Sequence, residues 1–414
     1  MKVAKPSLSL RVPAGRWIKT LEGYRAFHPQ PLPPEISWTP RLVRSLSHAD
    51  RLLGRLAGEG RRLPNPHLLI RPFIRREAVY SSRIEGTQAT LGELLAAEAG
   101  AAVDRSPEDL REVGNYVTAL EFGLERLKTL PISLRLVREL HEKLMTGVRG
   151  DHATPGEFRR TQNWIGRPGC TLMEASYVPP PPDRLLAHLG EWEKFLHDDS
   201  MPPLLNAALA HYQFEAIHPF LDGNGRVGRL LITLGLCARS VLPEPLLYLS
   251  AFFDATRRDY YDGLRRVTEE SDWAGWLEYF LNGVARQAED AVSRAERINQ
   301  LLIDWRQQFS GGGLKVPLKI IELLAANPFL SPRETERRLG VAYNTVMRAI
   351  DQLERRNVLT KVGAARRDRV FCARAILDIL EEPARLAPDP APRQVSRLKD
   401  RLNRAQVRKS KTGS

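Results

Sequence analysis

Cysteine is scarce in this 414-residue sequence: Cys170, Cys237 and Cys372 are all there is, widely spaced and without a CxxC pair. That excludes a disulfide framework and a cysteine-built zinc site, and it fits a reducing cytoplasm. Long apolar runs are lacking too. The longest, LLITLGLCA at 230–238, is far short of the roughly 20 residues that cross a bilayer. The N-terminus, MKVAKPSLSLRVPAGRW, has no apolar stretch of the kind an export signal needs. The expectation is a cytoplasmic protein with no membrane attachment. Internal repeats are absent. Acidic residues are in the minority, 49 against 62 Lys and Arg, for a net charge of +13. The excess is lopsided: from Ser331 onward 20 basic residues face 10 acidic ones, so the last fifth of the chain holds about +10 of the total. Such a skew is either a solvated tail or an electrostatic footprint for nucleic acid.

What is present is ordinary for a folded chain: 43% apolar and 27% charged residues, with length enough for two or three domains. Residues 1–40, with PLPPEISWTP, read as irregular, and helical periodicity dominates from Pro40 to Phe309. The stretch SGGGLKVP at 310–317 is the clearest linker. Leu314 to Leu380 reads as a small separate domain, and EEPARLAPDPAPRQ breaks into a basic tail.

The most informative segment is HPFLDGNGRVGRLL, His218 to Leu231. The apolar spacing of Leu205, Ala208, Leu209, Tyr212 and Ile217 predicts a helix that stops at His218 and Pro219. A second helix begins after LDGNG, with Val227, Leu230, Leu231 and Leu234 as its buried stripe. Gly223 and Gly225 permit backbone conformations closed to other residues and leave N–H groups uncovered at the new N-terminus, which makes an anion site. Arg226 and Arg229, three apart, add two planar forks suited to phosphate oxygens. Asp222 beside that positive charge suits Mg²⁺, and His218 is placed to take a proton from an incoming hydroxyl.

This segment resembles the signature of the Fic family, HxFx(D/E)GNGRxxR, at every defined position, and the resemblance extends from about Tyr80 to Val284 through PGEFRRTQNWIG, DYYDGLRRV and WLEYFLNGV. It implies a mainly α fold, a Fic-type helical core with a small β-hairpin flap, and transfer of AMP from ATP to a hydroxyl of a target protein. By the same resemblance His218 is the general base and Asp222 binds Mg²⁺. Gly223, Asn224, Gly225, Arg226 and Arg229 hold the triphosphate, with Asn224 near the α-phosphate. In the Doc-like kinase branch a lysine replaces the second glycine of GNG, and Gly225 here favours AMP transfer over phosphorylation. The hairpin expected around Gln162, Trp164 and Ile165 is implied to pair with an extended target segment, placing Ile165, Gly166 and Arg167 near the nucleotide. Tyr260 and Tyr261 match positions on its adenine and ribose side.

Far upstream, in RREAVYSSRIEGTQAT, Ser81 and Glu85 lie one helical turn apart and Gly86 is the expected cap. A glutamate in a final turn meets the partial negative charge of the helix end, so it wants a cation. The stretch resembles the inhibitory pattern (S/T)xxxE(G/N) of Fic proteins. That implies a pair between Glu85 and Arg229 that blocks the γ-phosphate, and a second use of Glu85 in removing AMP.

The C-terminal part reads as helix, helix, turn at Gly340, helix and two short strands. It resembles a winged helix-turn-helix, a common appendage of Fic proteins. Asn344, Thr345 and Arg348 are then exposed at the start of the recognition helix, and Arg366, Arg367 and Arg369 stand on a wing suited to DNA phosphates. Docking to a target protein or formation of a homodimer is the competing use. The resulting division is an N-terminal region, 1–104, with an inhibitory helix at about 72–86, followed by a Fic core, 105–290. A helical linker, 291–313, a winged helix-turn-helix domain, 314–380, and a basic tail without a fold of its own, 381–414, complete it. A transcriptional regulator whose Fic module senses nucleotide is the alternative function.

Overall fold

The computed structural model describes residues 13–62, 66–148, 154–243, 245–309, 315–363, 369–384 and 386. Within the stretch expected to be irregular, the first element of the described residues is an antiparallel hairpin, β1 (Gly15–Lys19) and β2 (Arg25–Pro29), in the register Gly15↔Pro29 to Lys19↔Arg25. Ten helices then precede a very long one: α1 (Pro40–Arg62), α2 (Pro66–Ile84), α3 (Leu91–Glu98), α4 (Pro107–Arg126), α5 (Leu134–Met145), α6 (Pro182–Leu196), α7 (Pro203–Ile217), α8 (Asn224–Ala238), α9 (Ser250–Ala255) and α10 (Arg257–Glu270). The eleventh, α11 (Trp273–Gln308), has 36 residues, about 54 Å of helix. The C-terminal part runs α12 (Lys315–Ala326), β3 (Phe329–Leu330), α13 (Pro332–Leu339), α14 (Tyr343–Arg355), β4 (Thr360–Val362), β5 (Val370–Cys372) and α15 (Arg374–Glu381).

Helix starts follow local chemistry. Thr90 and Glu93 make reciprocal side-chain to backbone bonds at the head of α3, satisfying two amides a helix leaves open. Ser106 and Pro107 open α4, Ser133 opens α5 and Asp272 opens α11. Gly340, at φ 62°, ends α13, as the turn signal predicts.

The C-terminal part is a winged helix with the strand order β3-β5-β4, all antiparallel. It is not set apart from the rest. Its buried residues, Ile320, Val346, Ile350 and Leu380 among them, belong to the same continuous apolar core as Leu53 of α1 and Leu209 of α7. In that core α1 lies along α11, α7 against α8, and α12 against α2.

Candidate active site

The loop between α7 and α8 is shaped by two left-handed residues. His218, at φ 51°, ends α7, and Gly223, at φ 77°, is the N-cap of α8. A glycine cap has no side chain to satisfy the first amides of the helix, so they remain for a ligand, where the helix dipole also favours negative charge. The loop braces itself from within. Asn224 accepts from the Phe220 amide through Oδ1 (2.8 Å) and donates to the Phe220 carbonyl through Nδ2 (2.9 Å). Both halves of its amide are thus engaged, and Asn224 is buried. Its side chain is spent on the loop, and its backbone N–H lies at the uncapped start of α8.

A histidine from α5 completes the brace. His141 Nδ1 accepts from the Gly156 amide (2.9 Å), so its proton sits on Nε2, which donates to the Asp222 carbonyl at 3.1 Å. Its ring stacks on Phe220 at 3.7 Å. Burial pulls its pKa down to about 4, so Nδ1 stays an acceptor at neutral pH. Sequence reasoning missed His141, and it missed Glu112 of α4. Their only signal is a polar residue interrupting a buried stripe, His141 among Val137, Leu140 and Leu144, and Glu112 beside Val113 and Tyr116.

The two arginines expected to share a face part company. Arg226 pairs with Glu112 and lies 3.4 Å from Met145 Sδ. Arg229 turns instead to α2: Nε donates to Ser81 Oγ (2.9 Å), and Nη2 donates to the Ser81 carbonyl (2.9 Å) and to Glu85 Oε1 (2.6 Å). Gly86, at φ 104°, follows the helix end. Burial opposes ionisation of Glu85, but Arg229, helped by Arg226 and His218, outweighs it and holds the carboxyl below its ordinary range. Gly225 touches this pair. A Cβ there would collide with Glu85 Oε1 and stand 2.8 Å from Arg229 Nη1.

His218 is half-buried. Burial draws its pKa down to about 4, with the neighbouring Arg159 acting in the same direction. Its Nδ1 lies 3.3 Å from the Glu215 carbonyl. A proton held there leaves Nε2 as the lone-pair site. Glu215 is pushed up to about 7 by burial, opposed by Arg229. Asp222 keeps half of its side chain exposed, with Oδ1 accepting the Gly223 amide at 2.6 Å. Among the described residues no group of three His, Cys, Asp or Glu forms a metal cluster. A single carboxylate beside an anion loop nevertheless fits Mg²⁺, which is commonly held by one carboxylate together with substrate phosphates.

The segment facing the loop is anchored more firmly than a surface hairpin. Arg159 donates to the carbonyls of His218 (3.0 Å), Ile217 and Pro180, and Asn163 Nδ2 donates to those of His218 and Phe220. The flap itself is one antiparallel bridge, Ile165↔Tyr177, spanned by a wide turn that contains a 3-10 turn, Leu172–Glu174. Trp164, Ile165, Gly166 and Arg167 are exposed on it. Two elements outside the sequence reading support it: β2, whose Phe27 amide donates to Val178 (2.8 Å), and Tyr24, which donates to Gln162 (3.2 Å). The adjacent tyrosines of α10 separate. Tyr260 is buried with its hydroxyl 2.8 Å from His211 Nε2, whereas Tyr261 is 44% exposed and feels the charges of Glu85 and Arg229. Only Tyr261 is therefore open to a ligand.

A cavity of about 670 Å³ lies elsewhere, where Gly228, Leu231 and Gly235 of α8 meet Trp192 and Phe214. In the winged helix, Asn344, Thr345 and Arg348 are exposed on the first turns of α14, and Arg369 Nη2 reaches Tyr343 Oη at 3.5 Å. Arg366 and Arg367 lie outside the described residues. Among the described residues no helix is long and apolar enough to cross a membrane.

Residues 43–125 match the Fic/DOC family N-terminal region, residues 131–236 the Fic/DOC family domain, and residues 315–360 a winged helix-turn-helix DNA-binding domain. The chain is 31% identical over 219 residues to protein adenylyltransferase fic-1 of Caenorhabditis briggsae, which covers 51% of this chain and 39% of that one. It is 35% identical over 196 residues to protein adenylyltransferase Fic of Drosophila grimshawi, covering 46% and 37%. It therefore spans less than two fifths of the length of these relatives. A crystal structure of a Fic family protein from Desulfovibrio desulfuricans G20 shares the fold, with a TM-score of 0.55 and 23% identity over 83% of this chain and 98% of that one. With the loop, the N-terminal region and the winged helix in hand, this chain carries a Fic/DOC N-terminal region and a Fic/DOC domain followed by a winged helix-turn-helix domain.

Proposed function

We propose that the protein is a Mg²⁺-dependent protein adenylyltransferase that moves AMP from ATP to a Ser, Thr or Tyr hydroxyl of a target protein and is held back by Glu85. The observation that carries this reading is the latch at the loop: Glu85 and Ser81 occupy the guanidinium of Arg229 on the first turn of α8. In the reaction the loop amides and Arg229 bind the triphosphate, and His218 Nε2 takes the proton of the target hydroxyl. The freed oxygen bonds to the α-phosphorus while the bond to pyrophosphate breaks and pyrophosphate leaves. His218 is suited to this because its lowered pKa keeps it neutral. Arg229 and the amides stabilise charge that grows on the leaving phosphates, and they do so in a fixed, partly desolvated site. Asp222 would hold Mg²⁺, which neutralises phosphate charge when bound. Glu85, a third exposed, is placed to orient a water for the reverse removal of AMP.

Gly225, where the Doc-like branch has lysine, favours AMP transfer over phosphorylation, and a side chain there would press on Glu85 and Arg229. Duplex DNA is the second partner we propose, met by Asn344, Thr345 and Arg348 of α14.

Incubation with α-labelled ATP and Mg²⁺ tests the reading. Glu85→Gly should raise automodification about tenfold or more, a change equal to about 1.4 kcal/mol of released inhibition. Arg229→Ala should fall below wild type, and the double variant should follow Arg229→Ala. Mass spectrometry should find added AMP. Added phosphate, or wild-type automodification in Glu85→Gly, would overturn it.

A further inference from the structure

Resting on that reading, we propose that the docked winged helix is what keeps the latch shut: its grip on α2 and α3 holds Glu85 against Arg229, and loosening it releases Arg229 for ATP. The helix that leads directly into Glu85, α2, is the one the winged helix packs on, through α12. Two hydrogen bonds fix the element that follows it. Asn327 Nδ2 donates to the Leu95 carbonyl (3.1 Å), and the Gly92 amide donates to Glu381 Oε1 (2.9 Å).

The third connection is buried. Arg294 of α11 donates to the carbonyls of Ile379, Glu382 (2.9 Å) and Pro383 (3.1 Å) at the end of α15, and its Nε donates to Asp290 Oδ2 at 2.8 Å. Arg76 of α2 reaches the same oxygen from 3.5 Å. Arg76, Asp290 and Arg294 are each at most 2% exposed. Two guanidiniums thus share one carboxylate out of water, and the sharing is unequal. Arg76 Nε and Nη2 and Asp290 Oδ1 have no hydrogen-bond partner. A buried polar joint left partly unsatisfied is costly, so a change at one member falls on the others. If α15 withdraws, Arg294 loses three acceptors and its claim on Asp290 changes. Arg76 must answer, and Arg76 lies eight residues before Ile84, the last residue of α2, about 12 Å along its axis, with Glu85 directly after it.

The test uses full-length protein with two variants, Arg294→Met inside the joint and Glu381→Ala at the surface, the latter leaving the buried joint intact should the former fail to fold. In either, hydrogen exchange of the amides at 74–85 should speed up while that of α7 and α8 stays unchanged. Automodification should rise roughly fivefold or more, the usual lower range of coupling between sites. Neither variant should raise it further in the Glu85→Gly background. Coupling is reciprocal, so Glu85→Gly alone should speed exchange in α12 and α15, a response that a merely structural contact would not give. Unchanged exchange at 74–85 in both folded variants would overturn the proposal, as would an equal rise of activity in the Glu85→Gly background. Absence of AMP transfer from every variant would instead strike the adenylyltransferase reading, while the exchange data still decide the coupling.

Discussion

The loop residues divide into those that face a ligand and those that hold the loop. His218 belongs to the first group in the proposed mechanism, and its neutral ring at physiological pH follows from burial. His218→Ala should therefore lower AMP transfer by about 10²- to 10⁴-fold while the Kd for ATP, measured by titration, stays within about twofold of wild type. The free enzyme should lose kcat/KM only as pH falls through about 4, where His218 is protonated. An acid limb near 6.5 would show that the imidazole is not in this environment. His218, Asp222, Gly223, Gly225 and Glu85 were legible in the sequence because each breaks a local rule: a titratable group at a helix end, glycines at a helix start, an acid in a last turn. Arg159, His141 and Glu112 were not. Their partners lie 59, 81 and 114 residues away, and the one local sign, His141 and Glu112 interrupting buried stripes, does not say what they hold.

At the scale of elements, the α7 to α8 turn is stiff because its bonds are internal. Asn224→Ala would leave the Phe220 amide unpaired in a buried place, at about 1–3 kcal/mol, and would leave the Phe220 carbonyl to Asn163 alone. Thermal unfolding should shift down, and ATP affinity should fall although no side-chain ligand has been removed. Asn224→Asp, which keeps the acceptor half, should do less harm. Unchanged stability in Asn224→Ala would refute the bracing role. The helices were readable from periodicity and caps. The β1 to β2 hairpin was not, because each strand is five residues long and β1 buries little of its surface. It meets the flap on one side and the main core through Phe27 and Trp17, and the consecutive buried Ala26 and Phe27 break any apolar alternation. The flap was expected as a hairpin and is a single bridge, since its order comes from Arg159 and Asn163 below it and not from cross-strand pairing.

For the whole molecule, buried histidines set an acid limit. His141 and His188 are lowered to about 4 and His211 to about 3, each chiefly by burial. Their folded pKa values lie below the unfolded value near 6.5, so the unfolded chain binds more protons between these limits and stability rises with pH there. The stabilisation is complete above about 6.5 and is lost as pH falls toward 4. Glu77 and Glu215, raised by burial, oppose this in part. Urea unfolding should give a lower free energy at pH 5 than at pH 7, and His211→Gln should flatten the difference. An equal stability at both values would mean that these rings are solvated. The hairpin Gly15–Pro29 has one more consequence. The family match begins at residue 43, yet the Phe27 amide holds Val178 and the rings of Trp17 and Phe27 pack on Tyr177, whose hydroxyl is bonded to the Ala216 carbonyl beside His218. A fragment cut at the start of the family match would carry every signature residue and still bare the back of its own flap. A piece of this chain that keeps the flap's support must begin before the part that matches the family.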